Sequence, residues 1–201
     1  MGATAVKGTD RRLPHGTSGF AFFSEVLLTG MVLFLLSLPV LTLVPALAAG
    51  ATHLRRHLEG RPDSLADLWA DLRRAVRSGG WLVSLGLVAL LLVLDLNAAI
   101  AAGGALPGGS LVRVVSAVVA GCAVVVVLRA TGSWSRQRHW GQNLRAAAVT
   151  STADLAGSVL LLAAVFLCGV MVWMLTPLVF VVPGLLCLAV VGVQYRAGGG
   201  R

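Results

Sequence analysis

The sequence predicts an all-α protein: a polytopic membrane bundle of about five transmembrane helices with an additional amphipathic helix on its cytoplasmic side. Composition is the first reason, because 57% of the residues are hydrophobic and 12% are charged, against about a quarter charged in soluble domains. The second is that the apolar residues form continuous runs, and a helix needs about 20 residues to cross a bilayer. These runs lack the period-two alternation of barrel strands, so helices are expected to satisfy the backbone within lipid.

Five segments are expected to span the membrane. The first three extend from Phe20 to about Leu43, from Trp81 to Ile100 and from Leu111 to Leu128. The last apolar stretch, Leu155 to Val193, is too long for one span and too short for three. Proline disfavours helix in the residue before it, so we expect a break at Leu175 to Pro177 and two final helices in a tight hairpin.

Between the first two spans, residues 61–80 carry the pattern of an amphipathic helix. Apolar residues recur there at helical spacing: Leu65, Leu68, Trp69, Leu72 and Val76. Ser64 is positioned to cap the helix with Asp67 three residues on, and Gly79–Gly80 is positioned to end it. We expect this helix at the membrane surface or packed under the bundle.

The loop from Arg129 to Asp154 has a similar character. Trp134 and Trp140 flank its basic residues, which is the pattern of an aromatic belt at the headgroup level. Its segment "NLRAAAV", from Asn143, echoes "DLRRAV", from Asp71, and each leads into a helix. This match suggests a repeated unit of loop, helix and span.

Basic residues predict the orientation of the bundle. They concentrate in the loops after the first and third spans and at the C-terminus, whereas "AAGGALPGGS" carries no charge. By the positive-inside rule those loops and the C-terminus face the cytoplasm and the N-terminus faces outside. Residues 20–195 are expected to form one transmembrane domain, with flexible tails at 1–19 and 196–201.

The exit of the first span has an alternative interpretation. Ala46-Leu47-Ala48 fits the small-x-small pattern of a signal-peptide cleavage site. The apolar run before it is longer than the roughly 7–15 residues of a signal-peptide core, and it leads directly into Arg55 and Arg56. We therefore favour an uncleaved span that a basic anchor follows.

Two segments carry a family resemblance. "SLPVLTLVPALAAGATHLRRHLEG" with "SLADLWADLRRAVRSGGWLVSLGLVALLL", and later "PLVFVVPGLLCLAVVGVQY", resemble the YesL family of small bacterial integral membrane proteins. The resemblance covers Phe20 to Tyr195. It implies an accessory role beside carbohydrate ABC importers, and it supplies no catalytic residues.

Polar residues inside the apolar runs are candidate site residues, because ionisable groups are costly within a membrane. Asp95 and Asn97 lie near the outer end of the second span, and Glu25 lies about a turn inside the first. They could line a polar vestibule or a proton or cation site. Alternatively they reach headgroup water, or Asp95 pairs with Arg113 across the short loop.

A second candidate site is the basic cytoplasmic face, expected to contact a protein partner or anionic lipid. Its residues are Arg55, Arg56, Arg73, Arg74, Arg77, Arg136, Arg138 and Arg145. The net charge of +8 is thereby assigned to loops next to the membrane, so no nucleic-acid partner is expected.

We predict no enzymatic activity and no catalytic residue, because no catalytic or nucleotide-binding motif is present. His53 and His57 share a helical face, but they lack a third ligand and adjoin two arginines, so no metal site and no cofactor are expected. The leading hypothesis is a non-enzymatic accessory or scaffold protein associated with carbohydrate ABC import. The alternative is a small transporter or channel with a polar site near Asp95 and Glu25, and a homo-oligomer is compatible with both.

Overall fold

The computed structural model describes residues 18–37, 40–59, 64–103, 108–135, 139–175 and 179–198. Within these ranges every regular element is helical, which confirms the all-α prediction. The α-helices are α1 (Ser18–Ser37), α2 (Leu43–Leu58), α3 (Leu65–Ala75), α4 (Trp81–Ala102), α5 (Gly109–Gly132), α6 (Trp140–Ala153), α7 (Leu155–Met174) and α8 (Val182–Gly198). A 3₁₀ turn (Val40–Thr42) precedes α2, and a π-helical turn (Val76–Gly80) joins α3 to α4.

Three helical segments in the described ranges are long and apolar enough to cross a membrane. They are Leu65–Ala102, which joins α3 to α4, Gly109–Gly132 (α5) and Leu155–Met174 (α7). The apolar part of α8, Val182–Arg196, is about 22 Å long at 1.5 Å per residue and is shorter than a typical span. The fold is therefore compatible with a helical membrane bundle, but the predicted number of five spans is not confirmed.

The last apolar stretch divides as expected. Helix α7 ends at Met174 and α8 begins at Val182. The break thus falls where the sequence places Pro177, a residue outside the described ranges. Helix α8 runs on to Gly198, so Arg196 belongs to a helix rather than to a tail.

The first apolar segment differs from its prediction. One span was expected from Phe20 to about Leu43, followed by a loop, but α1 ends at Ser37 and a separate helix, α2, begins at Leu43. The interruption falls beside Pro39 in the sequence, and proline lacks the N–H that helix continuation needs. Pro45 is tolerated in α2 because it lies in the first turn, where that N–H has no partner within the helix.

Helix α2 is the central element of the bundle. Its residues from Val44 to Ala51 are all buried, and it packs against α1, α3, α4, α5 and α8. Its small residues permit this close packing: Gly50 faces Leu33 of α1 and Cys187 of α8 with no room for a side chain. The "ALAAG" segment is therefore an interior packing surface and not the exit of a span.

Helix α3 begins as the sequence predicts. The Ser64 hydroxyl accepts a hydrogen bond from the Asp67 backbone N–H at 3.2 Å and donates one to the Asp67 carboxylate at 2.8 Å. Gly79 has a φ of +96°, which favours glycine, and this kink redirects the chain from α3 into α4. The predicted cap is confirmed, whereas α3 itself ends at Ala75 and the predicted end at Gly79–Gly80 is a kink between helical segments.

We expect Ser64→Ala to lower the free energy of unfolding by about 1 kcal/mol, because the first turn of α3 loses its cap. Ser64→Thr is the matched control, since threonine also caps helices and keeps a hydroxyl that can donate to the Asp67 carboxylate. Thermal unfolding of the purified protein measures the difference. Equal losses in the two variants would contradict a capping role.

The two segments that suggested a repeat occupy similar places. Helix α3 leads into α4, and α6 leads into α7. Asp71 and Asn143, which begin the two matching segments, are both fully buried. Asp71 pairs with Arg56 at the end of α2, while the Asn143 amide donates to the Ala130 carbonyl near the end of α5 at 3.5 Å. In both segments a buried polar residue therefore connects the short helix to the helix before it, α3 to α2 and α6 to α5.

Candidate functional sites at the two ends of the bundle

Most of the basic residues that the structure describes lie at one end of the bundle. We call this the basic end, defined by the end of α2, by α3 and α6, and by the C-terminal parts of α5 and α8. The other end, where α4 passes into α5 around Ala102 and Gly109, is called the opposite end. The described arginines of the basic candidate site lie at the basic end, and Asp95 and Asn97 of the polar candidate site lie toward the opposite end.

Helix α3 presents a mixed basic and aromatic face at the basic end. Its inner face buries Leu68, Asp71, Leu72 and Ala75. On the outer side Arg73 and Arg77 follow Trp69 at successive helical turns, and all three are exposed, Trp69 by 58%. We call Trp69 and Arg73 of α3, together with Arg77 of the π-helical turn that follows it, the α3 outer face. Arg74 of α3 and Arg145 of α6 are also exposed, so these predicted contact residues are accessible.

Arg55 and Arg56 differ from the other predicted contact residues. The Arg56 guanidinium pairs with the fully buried Asp71 carboxylate at 2.5 Å. The Arg55 guanidinium donates to the Gly132 carbonyl and to the Gln194 side-chain oxygen, the latter at 3.2 Å. Both side chains thus hold α2 to its neighbours, whereas Arg136 and Arg138 lie outside the described residues.

The tryptophans of the second basic loop are interior residues. Trp134 and Trp140 are 3% and 4% exposed, and their rings stack at 6.4 Å. The Trp140 indole N–H donates to the Ala75 carbonyl and to the Ser78 hydroxyl, at 3.2 and 3.0 Å. The predicted aromatic belt of these two residues is therefore wrong, because both are buried and the Trp140 indole holds α6 against the end of α3.

An ionic junction joins α5, α7 and α8 at the basic end. Asp154 caps α7 through the Gly157 N–H at 3.0 Å. Its carboxylate also binds the buried Arg129 guanidinium at 2.9 Å and the Arg196 guanidinium at 3.0 Å. The Gly157 hydrogen bond, followed by the Arg129 hydrogen bond, lowers the pKa of Asp154 below its ordinary value.

Sequence reasoning missed this junction, although one signal was available. Asp154 directly precedes the apolar run of α7, which is the position of a helix N-cap. The pairing with Arg129 and Arg196 depends on how α5 and α8 pack beside α7. The residues next to Asp154 in the sequence therefore do not predict it.

The three candidate polar residues do not form one described cluster, and only Asp95 and Asn97 are placed toward the opposite end. The Asn97 amide donates to the Ser116 hydroxyl at 3.4 Å. Asp95 is exposed and lines a groove between α4 and α5 together with Arg113. These two charged groups form no ion pair with each other in the structure, so the predicted pairing within the chain is not made. Glu25 belongs to α1, and its side chain lies outside the described part.

A central cavity of about 470 Å³ lies among the helices. Its wall is apolar throughout and is formed by residues such as Phe34, Val44, Leu91, Val124 and Leu186. Among the residues that the structure describes, no group of three or more potential metal ligands occurs. This cavity therefore offers an apolar volume without charged lining residues.

The fold and its two ends define a class: a helical protein whose long apolar helices are compatible with a multi-pass membrane protein. No protein-family model matches the chain, and neither does any curated protein or solved structure. The resemblance to the YesL family therefore stays a prediction from the sequence.

Proposed function

We propose that this chain is a non-enzymatic, multi-pass integral membrane protein that serves as an accessory or scaffold component of a carbohydrate ABC importer. The importer as partner comes from the resemblance to the YesL family. The basic end is proposed to face the cytoplasm, in accord with the positive-inside rule. What the protein contributes is a docking surface on the cytoplasmic side of the assembly.

The observation that carries the proposal is the α3 outer face. Trp69, Arg73 and Arg77 are exposed on a helix whose inner side is anchored by the Arg56–Asp71 pair. The hydrogen bond from Trp140 to the end of α3 adds a second anchor. A rigid surface loses little conformational entropy on binding, and exposed tryptophan and arginine are enriched where partners bind tightly.

Charge reversal of this face tests the proposal. We expect Arg73→Glu/Arg77→Glu to reduce the recovery of importer subunits from native membranes by about tenfold or more, because two favourable charges become repulsive. Arg73→Lys/Arg77→Lys is the matched control, since it keeps the charge and should keep most of the recovery. Quantitative mass spectrometry of the co-purified proteins gives the measurement.

Anionic lipid is the competing ligand for the same face. Flotation with vesicles that contain phosphatidylglycerol distinguishes lipid from importer as the ligand. Charge reversal should weaken binding to an anionic lipid surface even when no importer subunit is present. If reversal weakens vesicle binding while importer recovery is unchanged, the face is a lipid contact and the scaffold role is wrong.

A second candidate function is a small transporter or channel. It is favoured by Asp95 and Asn97, which place a carboxylate and an amide on the apolar helix α4. The apolar wall of the central cavity weighs against a polar pathway through the described part of a single chain. Solute flux in liposomes that contain this protein alone would support the transporter and count against the scaffold.

A further inference from the structure

The groove between α4 and α5 at the opposite end has an unusual composition. It encloses about 530 Å³ and has apolar walls, yet one acidic and one basic side chain, Asp95 and Arg113, line it. Both are exposed on the outside of the bundle. Their apolar neighbours are exposed as well, Leu92 by 65% and Val114 by 60%.

These charges lie inside the apolar length of the helices. Asp95 is about 10 Å from the end of α4 at Ala102, and Arg113 is about 6 Å from the start of α5 at Gly109, at 1.5 Å per residue. The short aspartate side chain cannot span two helical turns to reach headgroup water. An unpaired charge within the apolar length of a membrane helix is costly, so a partner of opposite charge would stabilise each group.

We propose that this groove is a homodimer interface in which Asp95 of one copy pairs with Arg113 of a second copy. A second copy fits because the groove carries one charge of each sign, so that a two-fold axis brings every carboxylate to a guanidinium. Such an isologous interface forms two identical ion pairs and leaves no net charge in the membrane.

The groove also permits two helices to approach closely. Its α5 side carries the small residues Ser116, Ala117 and Ala120, and its α4 side carries Ala98. Small residues three to four apart are the usual packing surface between membrane helices. The interface depends on the membrane placement of α4 and α5, and it is independent of the accessory role of the α3 outer face.

Reversing the charge of Asp95 in one copy and of Arg113 in the other copy tests the proposal. Copies with Asp95→Arg and copies with Arg113→Asp should each lose self-association, with a dissociation constant raised about tenfold or more, because like charges then meet. Co-expressed under different affinity tags, the two variants should recover each other, since every carboxylate again meets a guanidinium. The readout is recovery of one tag with the other after mild extraction, beside single-molecule counting in vesicles.

The same design excludes the alternatives. If the double variant Asp95→Arg/Arg113→Asp self-associates but the mixed single variants do not recover each other, the pairing is within one chain and the proposal is wrong. Self-association that neither single variant weakens, or a native chain that is monomeric in vesicles, would overturn it equally. Membrane extraction of each variant shows that it is inserted, which separates loss of pairing from loss of folding.

Disulfide formation provides a second measurement that needs no charged variant. Ala117→Cys should cross-link between copies, because position 117 lines the groove. The native Cys122 is the internal control: it is exposed but lines a separate groove that includes Leu82 and Leu90. If Cys122 cross-links to the same extent as the cysteine of Ala117→Cys, the contact between copies is not in this groove.

Discussion

Gly184→Ala is expected to lower the free energy of unfolding by about 1–3 kcal/mol, because added atoms in a closely packed interface force neighbours apart. Gly184 of α8 packs against the backbone of α1. A Cβ at this position would lie 2.6 Å from the Val26 carbonyl oxygen and 3.0 Å from the Gly30 Cα. Backbone atoms cannot rotate away as side chains do, so α1 and α8 must separate. Thermal unfolding of the purified protein in detergent measures the loss.

The same two helices supply graded controls. A Cβ on Gly30 would meet its nearest atom, the Phe180 carbonyl oxygen, at 3.2 Å, so Gly30→Ala should cost less. A Cβ on Gly192 of α8 would meet nothing within 4 Å. Gly192→Ala should therefore be neutral, or stabilising by up to about 1 kcal/mol through helix propensity. A Gly192→Ala variant as unstable as Gly184→Ala would contradict the close crossing of α1 and α8.

Asp154→Asn is expected to destabilise the protein clearly at neutral pH. The amide keeps an oxygen for the Gly157 N–H but loses the charge that balances Arg129 and Arg196. Asp67→Asn is the matched control, because Asp67 is an exposed carboxylate in the first turn of α3. It should change the melting temperature little.

The effect of Asp154→Asn should depend on pH in a defined direction. The pKa of Asp154 is lowered from its ordinary 3.8 in the folded protein, so the unfolded chain takes up the proton first as pH falls. The carboxylate therefore contributes stability above about pH 4, and this contribution is lost as pH falls through the lower folded pKa. The difference in melting temperature between the native protein and Asp154→Asn should be constant from about pH 5 to 7 and shrink below about pH 4. A difference of the same size throughout would show that the charge is not involved.

Local signals in the sequence were sufficient for several elements. The serine cap, the helical spacing and the glycine pair located α3, since capping and left-handed backbone are properties of a few adjacent residues. The start of α4 at Trp81 and the division between α7 and α8 were likewise predicted. Proline and glycine act on the backbone directly, so their effects are visible before any packing is known.

The first apolar segment shows where local signals fail. The apolar run of α1 is followed by the apolar first half of α2, so composition there does not distinguish the end of a span from a separate buried helix. Arg55 and Arg56 looked like an exposed anchor for a similar reason. Arg55 contacts Gly132 and Gln194, and Arg56 contacts Asp71. These partners are far away in the sequence.

The sequence by itself determined that this chain is helical, that its long helices are apolar enough for a membrane, and that α3 is amphipathic. These properties depend on composition and on spacing within one helix. Only the tertiary structure decided that α2 is interior, that Trp134 and Trp140 are buried, and that Asp95 and Arg113 share a groove without pairing. The physical reason is that burial and ion pairing depend on which helices are neighbours. In a chain so uniformly apolar, hydrophobicity does not distinguish a surface that faces lipid from one that faces another helix.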